Sequence, residues 1–299
     1  MKVIKPTVIT DAMLTHDTVP ETDYPAWVSG ATYAVGDKCI RTSTHRIYQR
    51  LVAGAGTTAP ESDTTNWEDV SPTNKWAMFD NVVGTATTTT SPLTRVINPG
   101  SATGLALLEL VGRQAQVGMK DQTGGTTVYS KTIDLDGTII ESVYDWFFAE
   151  YEQLTDVVLT DLPGQFPNGE LTITVTATSG NVSCGVCKPG TVIEIGDTLA
   201  GAKAGIVDFS GKERDTFGNY SVVERSFAKE ASFAVLTQKS DFNKIFRRLA
   251  SLRATPAIYI GTEMTGYEPL IVYGFYKDFS IDVAYQSHHL CSLEVEGLI

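Results

Sequence analysis

Leu171, Ile173 and Val175 alternate with Thr172, Thr174 and Thr176 in the run GELTITVTATSG. A side-chain period of two suits a strand with one buried face; on a helix it would scatter the apolar residues around the whole circumference. Related runs recur in AQVGMKD, GGTTVYSKTIDL, SVVERSFAKEASFAVL and HLCSLEVEGL, with Gly-, Asn- and Pro-containing turns between them. Short strands repeating every dozen or so residues predict a sandwich or jelly roll. One segment breaks the pattern. SDFNKIFRRLASLRA places Phe242, Ile245, Phe246, Leu249 and Leu252 on one helical face, with Ser240 as N-cap and Lys244, Arg247, Arg248 and Arg253 elsewhere. The expected class is therefore mainly β, with one amphipathic helix near 240–253.

The chain divides by pattern. Residues 1–24 hold one short apolar run, KVIKPTVI, among polar residues and prolines, and read as an extended arm ordered against a neighbouring subunit. Residues 25–72 read as a small β module with too few residues for a large core. Residues 73–180 read as a sandwich or jelly-roll-like unit, and 181–299 as a β-rich α+β unit carrying the helix. Between two strands of the sandwich lies VYDWFFAEY, a dense aromatic run that is either a core plug or an interface. Aromatics dominate cores, so burial is the expectation.

Charge narrows the partners. The 35 acidic residues outnumber the 23 basic ones, giving a net charge of −12 over 299 residues. That charge repels a phosphate backbone and an anionic membrane surface, so nucleic acid is not expected as a partner. No run approaches the roughly 18 apolar residues of a membrane span, and no apolar stretch follows the first lysines as in a signal peptide. Synthesis in the cytosol and no membrane insertion are expected.

Catalytic constellations are absent from the sequence. His16, His45, His288 and His289 are scattered or adjacent, and no G-x-S-x-G, H-E-x-x-H or P-loop pattern occurs. DLDGT and GKERD offer carboxylates, but a hydrolase needs a spatial pair that sequence proximity does not supply. Cys184 and Cys187 in CGVC have metal-knuckle spacing, yet further ligands would have to converge on them. No enzyme, metal or cofactor is expected. Lys212, Arg214 and Arg225 interleave with Glu213, Asp215 and Glu224 around Phe217-Gly218-Asn219. Interleaved charges around a turn suit a subunit contact whose register they set, with Lys212, Arg214, Asp215, Phe217 and Arg225 as candidates. The alternative is a solvated hairpin with weak surface pairs.

Two resemblances add to this reading. Over residues 25–70, Trp27, Tyr33, Gly36-Asp37, Tyr48, Pro60 and Trp67 follow the pattern W-x₅-Y-x₂-G-D…Y…P…W, which resembles the small carbohydrate-binding modules of the chitin-binding type 5/12 group. The resemblance implies glycan binding through aromatics, with Trp27, Tyr33, Tyr48 and Trp67 as candidates. QRLVA stands where those modules carry a further aromatic after the residue matching Tyr48. Over residues 73–299, NKWAMFDNVVGT, VVLTDLPGQFPNGELTITVTA, LRATPAIYIG and above all DFSGKERDTFGN resemble a family of tailed-bacteriophage virion proteins from tail and baseplate gene clusters. This likeness implies a structural subunit located in the virion. Its partners would be itself, as a ring or trimer, and other tail proteins. The small module makes a host surface polysaccharide a further candidate partner. A carbohydrate-binding adhesin and a polysaccharide hydrolase are the alternative functions.

Overall fold

The structure, a computed structural model, describes residues 1–138, 140–214, 216–264, 266–283 and 287–298. The fold is mainly β. A long antiparallel sheet runs in the order Val157–Leu159, Gly104–Leu108, Val186–Glu194, Lys2–Pro6, Ala257–Ile260, Ile271–Asp282, His288–Gly297 and Phe227–Gln238. Two short strands, Asp197–Thr198 and Lys203–Asp208, both pair with Phe227–Gln238. A second antiparallel sheet has five strands, in the order Thr127–Asp134, Gln114–Lys120, Glu170–Thr176, Leu93–Ile97 and Leu14–Asp17.

Several alternating runs fold as their period predicts, whereas Thr127–Asp134 has no buried face and the run from Ser221 splits into an exposed strand and the alternating Phe227–Gln238. In Glu170–Thr176, Leu171, Ile173 and Val175 are buried while the threonines between them are half-buried. They face Leu105, Leu107 and Leu159 of the long sheet, so the two sheets make a sandwich over one end of the long sheet. The helix α1 (Val143–Phe148) lies outside this core, whereas α2 (Phe242–Ser251) covers the other end. Ile245, Leu249 and Leu252 of that second region pack on Val3, Ile193, Phe233 and Tyr259. Pairing of Val3 with both Ile193 and Tyr259, and of Leu107 with Cys187, puts both coverings on the same face of the long sheet. The opposite face buries Ile4, Ala106, Leu108, Ile258 and Tyr273.

Four expectations change. Residues 1–24 are not a loose arm. Lys2–Pro6 is a central strand, and Leu14–Asp17 is the edge strand of the second sheet. Val3 and Ile4 are both fully buried, one on each face, which a half-buried alternating pattern does not reveal. The long sheet also runs through the boundary expected at 180, because Gly104–Leu108 pairs with Val186–Glu194. Finally, Ser240 does not cap α2. It lies in a 3-10 turn, Lys239–Asp241, and Phe246 is half exposed instead of facing the core.

The segment 14–23 is anchored by charge. Arg95 is fully buried, its guanidinium against Asp17 and donating to the Lys75 carbonyl at 2.7 Å. Burial pulls Arg95 down to about 10. Glu21 accepts from Thr73 Oγ1 at 2.9 Å and lies 3.1 Å from His45 Nδ1, so the same segment also fastens the small module to the body.

Gly190 permits the central pairing. It faces Pro6, and a methyl group there would overlap the Lys5 carbonyl. Gly190→Ala is expected to lower stability by roughly 2 kcal/mol or more, because only a backbone shift relieves the overlap. Gly56→Ala, whose added carbon meets nothing within 4 Å, should stay within about 0.5 kcal/mol of the parent. Urea unfolding midpoints of the two variants check this.

Candidate functional site

The small module is built from Lys38–Arg41, Arg46–Arg50 and Trp67–Pro72, joined as a three-stranded sheet. The Gly36-Asp37 turn feeds the first strand: Gly36 has φ +91°, and Asp37 Oδ2 accepts from Ala34 N–H at 2.7 Å. Cys39, Tyr48 and Trp67 form the core, with Trp27 and Tyr33 packed against it. Tyr33 meets Trp67 edge-on with ring centroids 4.9 Å apart, and its hydroxyl accepts from Val28 N–H at 2.9 Å. The Arg50 guanidinium lies 5.0 Å from the Trp67 ring.

Of the four expected glycan-binding residues, Tyr48 and Trp67 are therefore structural. Trp27 and Tyr33 are half-buried. One side of Trp27 is taken by Arg41, 4.9 Å from the ring and held by Glu61 at 2.7 Å. The stacked guanidinium stabilises the ring and removes one of the two faces a sugar would stack on. The sequence reading missed Tyr24, which is 38% exposed and stands three residues before Trp27. Its aromatic ring in TDYPAW was the available signal.

The expected interface residues lie on a projecting hairpin. Lys203–Asp208 pairs with the long sheet, and Gly211–Arg214 and Tyr220–Val223 continue outward as a separate two-stranded ribbon. All four residues of Tyr220–Val223 are exposed, and Phe217 at the turn is 89% exposed. Lys212 binds Asp208 at 2.8 Å and holds its carboxyl well below the usual carboxylate range. Arg214 lies 4.6 Å from the Tyr220 ring. Arg225 is exposed, and its N–H donates to Ser210 Oγ at 3.1 Å. Asp215 lies outside the described residues. Ile206, Val222, Val223 and Phe227 add exposed apolar surface, so Lys212, Arg214, Phe217 and Arg225 share one apolar, charge-studded element.

A charged cluster sits at the base of this hairpin, beside a cavity of about 260 Å³ lined by Leu108, Phe227, Ile271, Tyr273 and Leu298. Glu109 has φ +54°, a strained backbone for a residue with a side chain, and burial pushes its carboxyl up. Asp156 is buried, accepts from Glu109 N–H at 3.2 Å and pairs with Lys229 at 2.5 Å. That carboxylate is committed to joining the edge of the long sheet to the strand carrying the hairpin.

Cys184 and Cys187 are both buried in the sandwich core. Burial pushes the Cys187 thiol up to about 12 and raises Cys184 as well, which disfavours the thiolates a metal needs. Among the described residues, no group of three or more His, Cys, Asp or Glu side chains is placed to hold a metal ion. No described helix is long and apolar enough to cross a membrane.

Comparison with known proteins gives no match among family models, curated proteins or solved structures.

Truncation separates core from surface in the module. Trp67→Ala should destabilise it by about 3–5 kcal/mol, the cost of emptying an aromatic core site. Trp27→Ala should leave it folded. Limited proteolysis within residues 25–72, with near-ultraviolet circular dichroism, distinguishes the two outcomes.

Proposed function

We propose that this chain is a structural, non-enzymatic subunit of a tailed-bacteriophage tail tip or baseplate. It is made in the host cytoplasm, works in the virion and assembles with copies of itself and other tail proteins as a symmetric oligomer. The projecting hairpin carries this reading. Its ribbon exposes Phe217, Tyr220, Val222 and Val223 with charges between them. An isolated two-stranded ribbon is marginal in water, and large exposed apolar surface marks a contact. The run DFSGKERDTFGN, which resembles the distinctive segment of the phage family, spans this hairpin. A continuous antiparallel scaffold with its histidines dispersed supports a structural role over a catalytic one.

Mass spectrometry of purified particles should find this chain in a fixed ratio to other tail proteins. Sedimentation of the full chain should show a concentration-dependent oligomer. Phe217→Ser with Tyr220→Ser should weaken it roughly tenfold or more, as expected on removing two aromatic anchors. Absence from particles would contradict the reading.

The exposed part of Trp27, with Tyr24 beside it in sequence, favours a second role for the module as a host-glycan adhesin. In that case the full chain binds a host polysaccharide, and Trp27→Ala or Tyr24→Ala abolishes binding.

A further inference from the structure

The aromatic run between Thr127–Asp134 and Val157–Leu159 is on the surface, contrary to the core plug expected from its composition. Ser142 caps α1 through Asp145 N–H, and the short helix carries Val143, Tyr144, Trp146, Phe147 and Phe148, each at least 66% exposed. Tyr151 follows at 61% exposure, with its hydroxyl donating to the Leu135 carbonyl at 3.0 Å. The rings stack mainly on one another: Tyr144 lies 4.7 Å from Phe148, and Trp146 4.7 Å from Phe147. Five aromatics exposed to this degree present on the order of 600 Å², at the upper end of the largest patch a soluble monomer normally shows. That is most of the roughly 800 Å² one partner contributes to a stable interface.

The patch has a charge. Glu141, Asp145, Glu150 and Glu152 surround it, the sequence from 137 to 155 contains no lysine or arginine, and none of these carboxylates has an ion-pair partner among the described residues. An anionic rim of this kind repels anionic lipid and asks for a cationic partner with an apolar centre.

One surface of this chain has that chemistry. On α2, Lys244, Arg247 and Arg248 lie on one side, Lys239 and Arg253 flank its two ends, and Phe246, half exposed and packed on Phe279 at 5.6 Å, adjoins them. Among the described residues, only Lys244 is ion-paired there, to Asp241 at 3.8 Å. In a chain of net charge −12, this is a concentrated basic patch. The two surfaces sit on different elements. The aromatic run connects the edge strands of the two sheets on the sandwich side, Thr127–Asp134 and Val157–Leu159. Helix α2 covers the other end of the long sheet. Complementary patches on different elements of a subunit meet between copies, head to tail, and such contacts close into rings when the rotation allows.

We infer that the aromatic run 141–152 of one copy docks on the basic face of α2 in the next copy, forming a heterologous contact that propagates the assembly. This inference rests on the oligomeric reading above, and names its interface. The aromatics supply the buried area, and the four unpaired carboxylates meet the four unpaired cations at the rim.

Charge reversal on the full chain tests it by sedimentation velocity. Glu150→Lys with Glu152→Lys, and separately Arg247→Glu with Arg253→Glu, should each weaken assembly by about tenfold or more. The chain carrying all four reversals should recover most of it. Circular dichroism of each variant confirms folding, and rescue by the combined variant excludes simple misfolding. Assembly that ignores all the reversals overturns the inference while leaving the oligomeric reading standing. A wild-type chain that remains monomeric overturns both unless particle mass spectrometry finds it in virions, in which case only this self-contact fails. Binding of wild-type chain to neutral phosphatidylcholine vesicles, lost in Trp146→Ser with Phe147→Ser and unaccompanied by self-association, assigns the patch to a membrane and also overturns the inference.

Discussion

The pairing of Lys2–Pro6 between Val186–Glu194 and Ala257–Ile260 holds the long sheet together. No direct pairing joins its two neighbours, so this five-residue strand links the sandwich half to the half that carries α2. Val3 faces the core under α2, while Ile4 faces the opposite core. Burying two such side chains contributes roughly 3–6 kcal/mol, a large share of the 5–15 kcal/mol by which a folded domain is typically stable. At the start of the strand, Lys2 binds Glu263 at 2.9 Å and Thr160 at 2.8 Å, tying both halves again. The Met1 amino group donates to the Gly196 carbonyl.

With the body closed this way, the surfaces left over acquire meaning. The hairpin 203–227 extends from the last long strand in the sheet order, and the aromatic run 141–152 precedes the first, the two strands being bridged by Asp156 and Lys229. Both expose aromatic side chains that the fold does not bury, although its cores are well supplied. The apolar residues in these two places take no part in the chain's own cores; in the proposed assembly, contact with neighbouring chains would bury them. The small module is different. Its aromatics are mostly its own core, and its pattern of Trp, Tyr and Gly-Asp describes how a tiny fold stands up before it describes what it binds.

Much of the strand content was legible because alternation is local. Leu171, Ile173 and Val175 announce a half-buried strand without any knowledge of its neighbours. The strand Lys2–Pro6 was not, because it is buried on both faces and flanked by lysines and a proline that read as polar surface. Its role comes from residues 180–260 positions away. The helix was legible from its spacing, but the exposed position of Phe246 and the failure of Ser240 to cap depend on how the chain enters from Phe227–Gln238. The aromatic run misled for a related reason. Composition favours burial, and nothing between 143 and 151 states that both sheets close without it. Within the module, the Trp and Tyr pattern predicted the fold more securely than the site, since the same ring types serve a core and a sugar platform.

The central claim is that one N-terminal strand unites two halves of a sheet. Amide hydrogen exchange on an Ile4→Asp chain tests it most directly. Protection should fall together in Val186–Glu194 and Ala257–Ile260, because each loses its shared neighbour. Unchanged protection in both strands would contradict the claim.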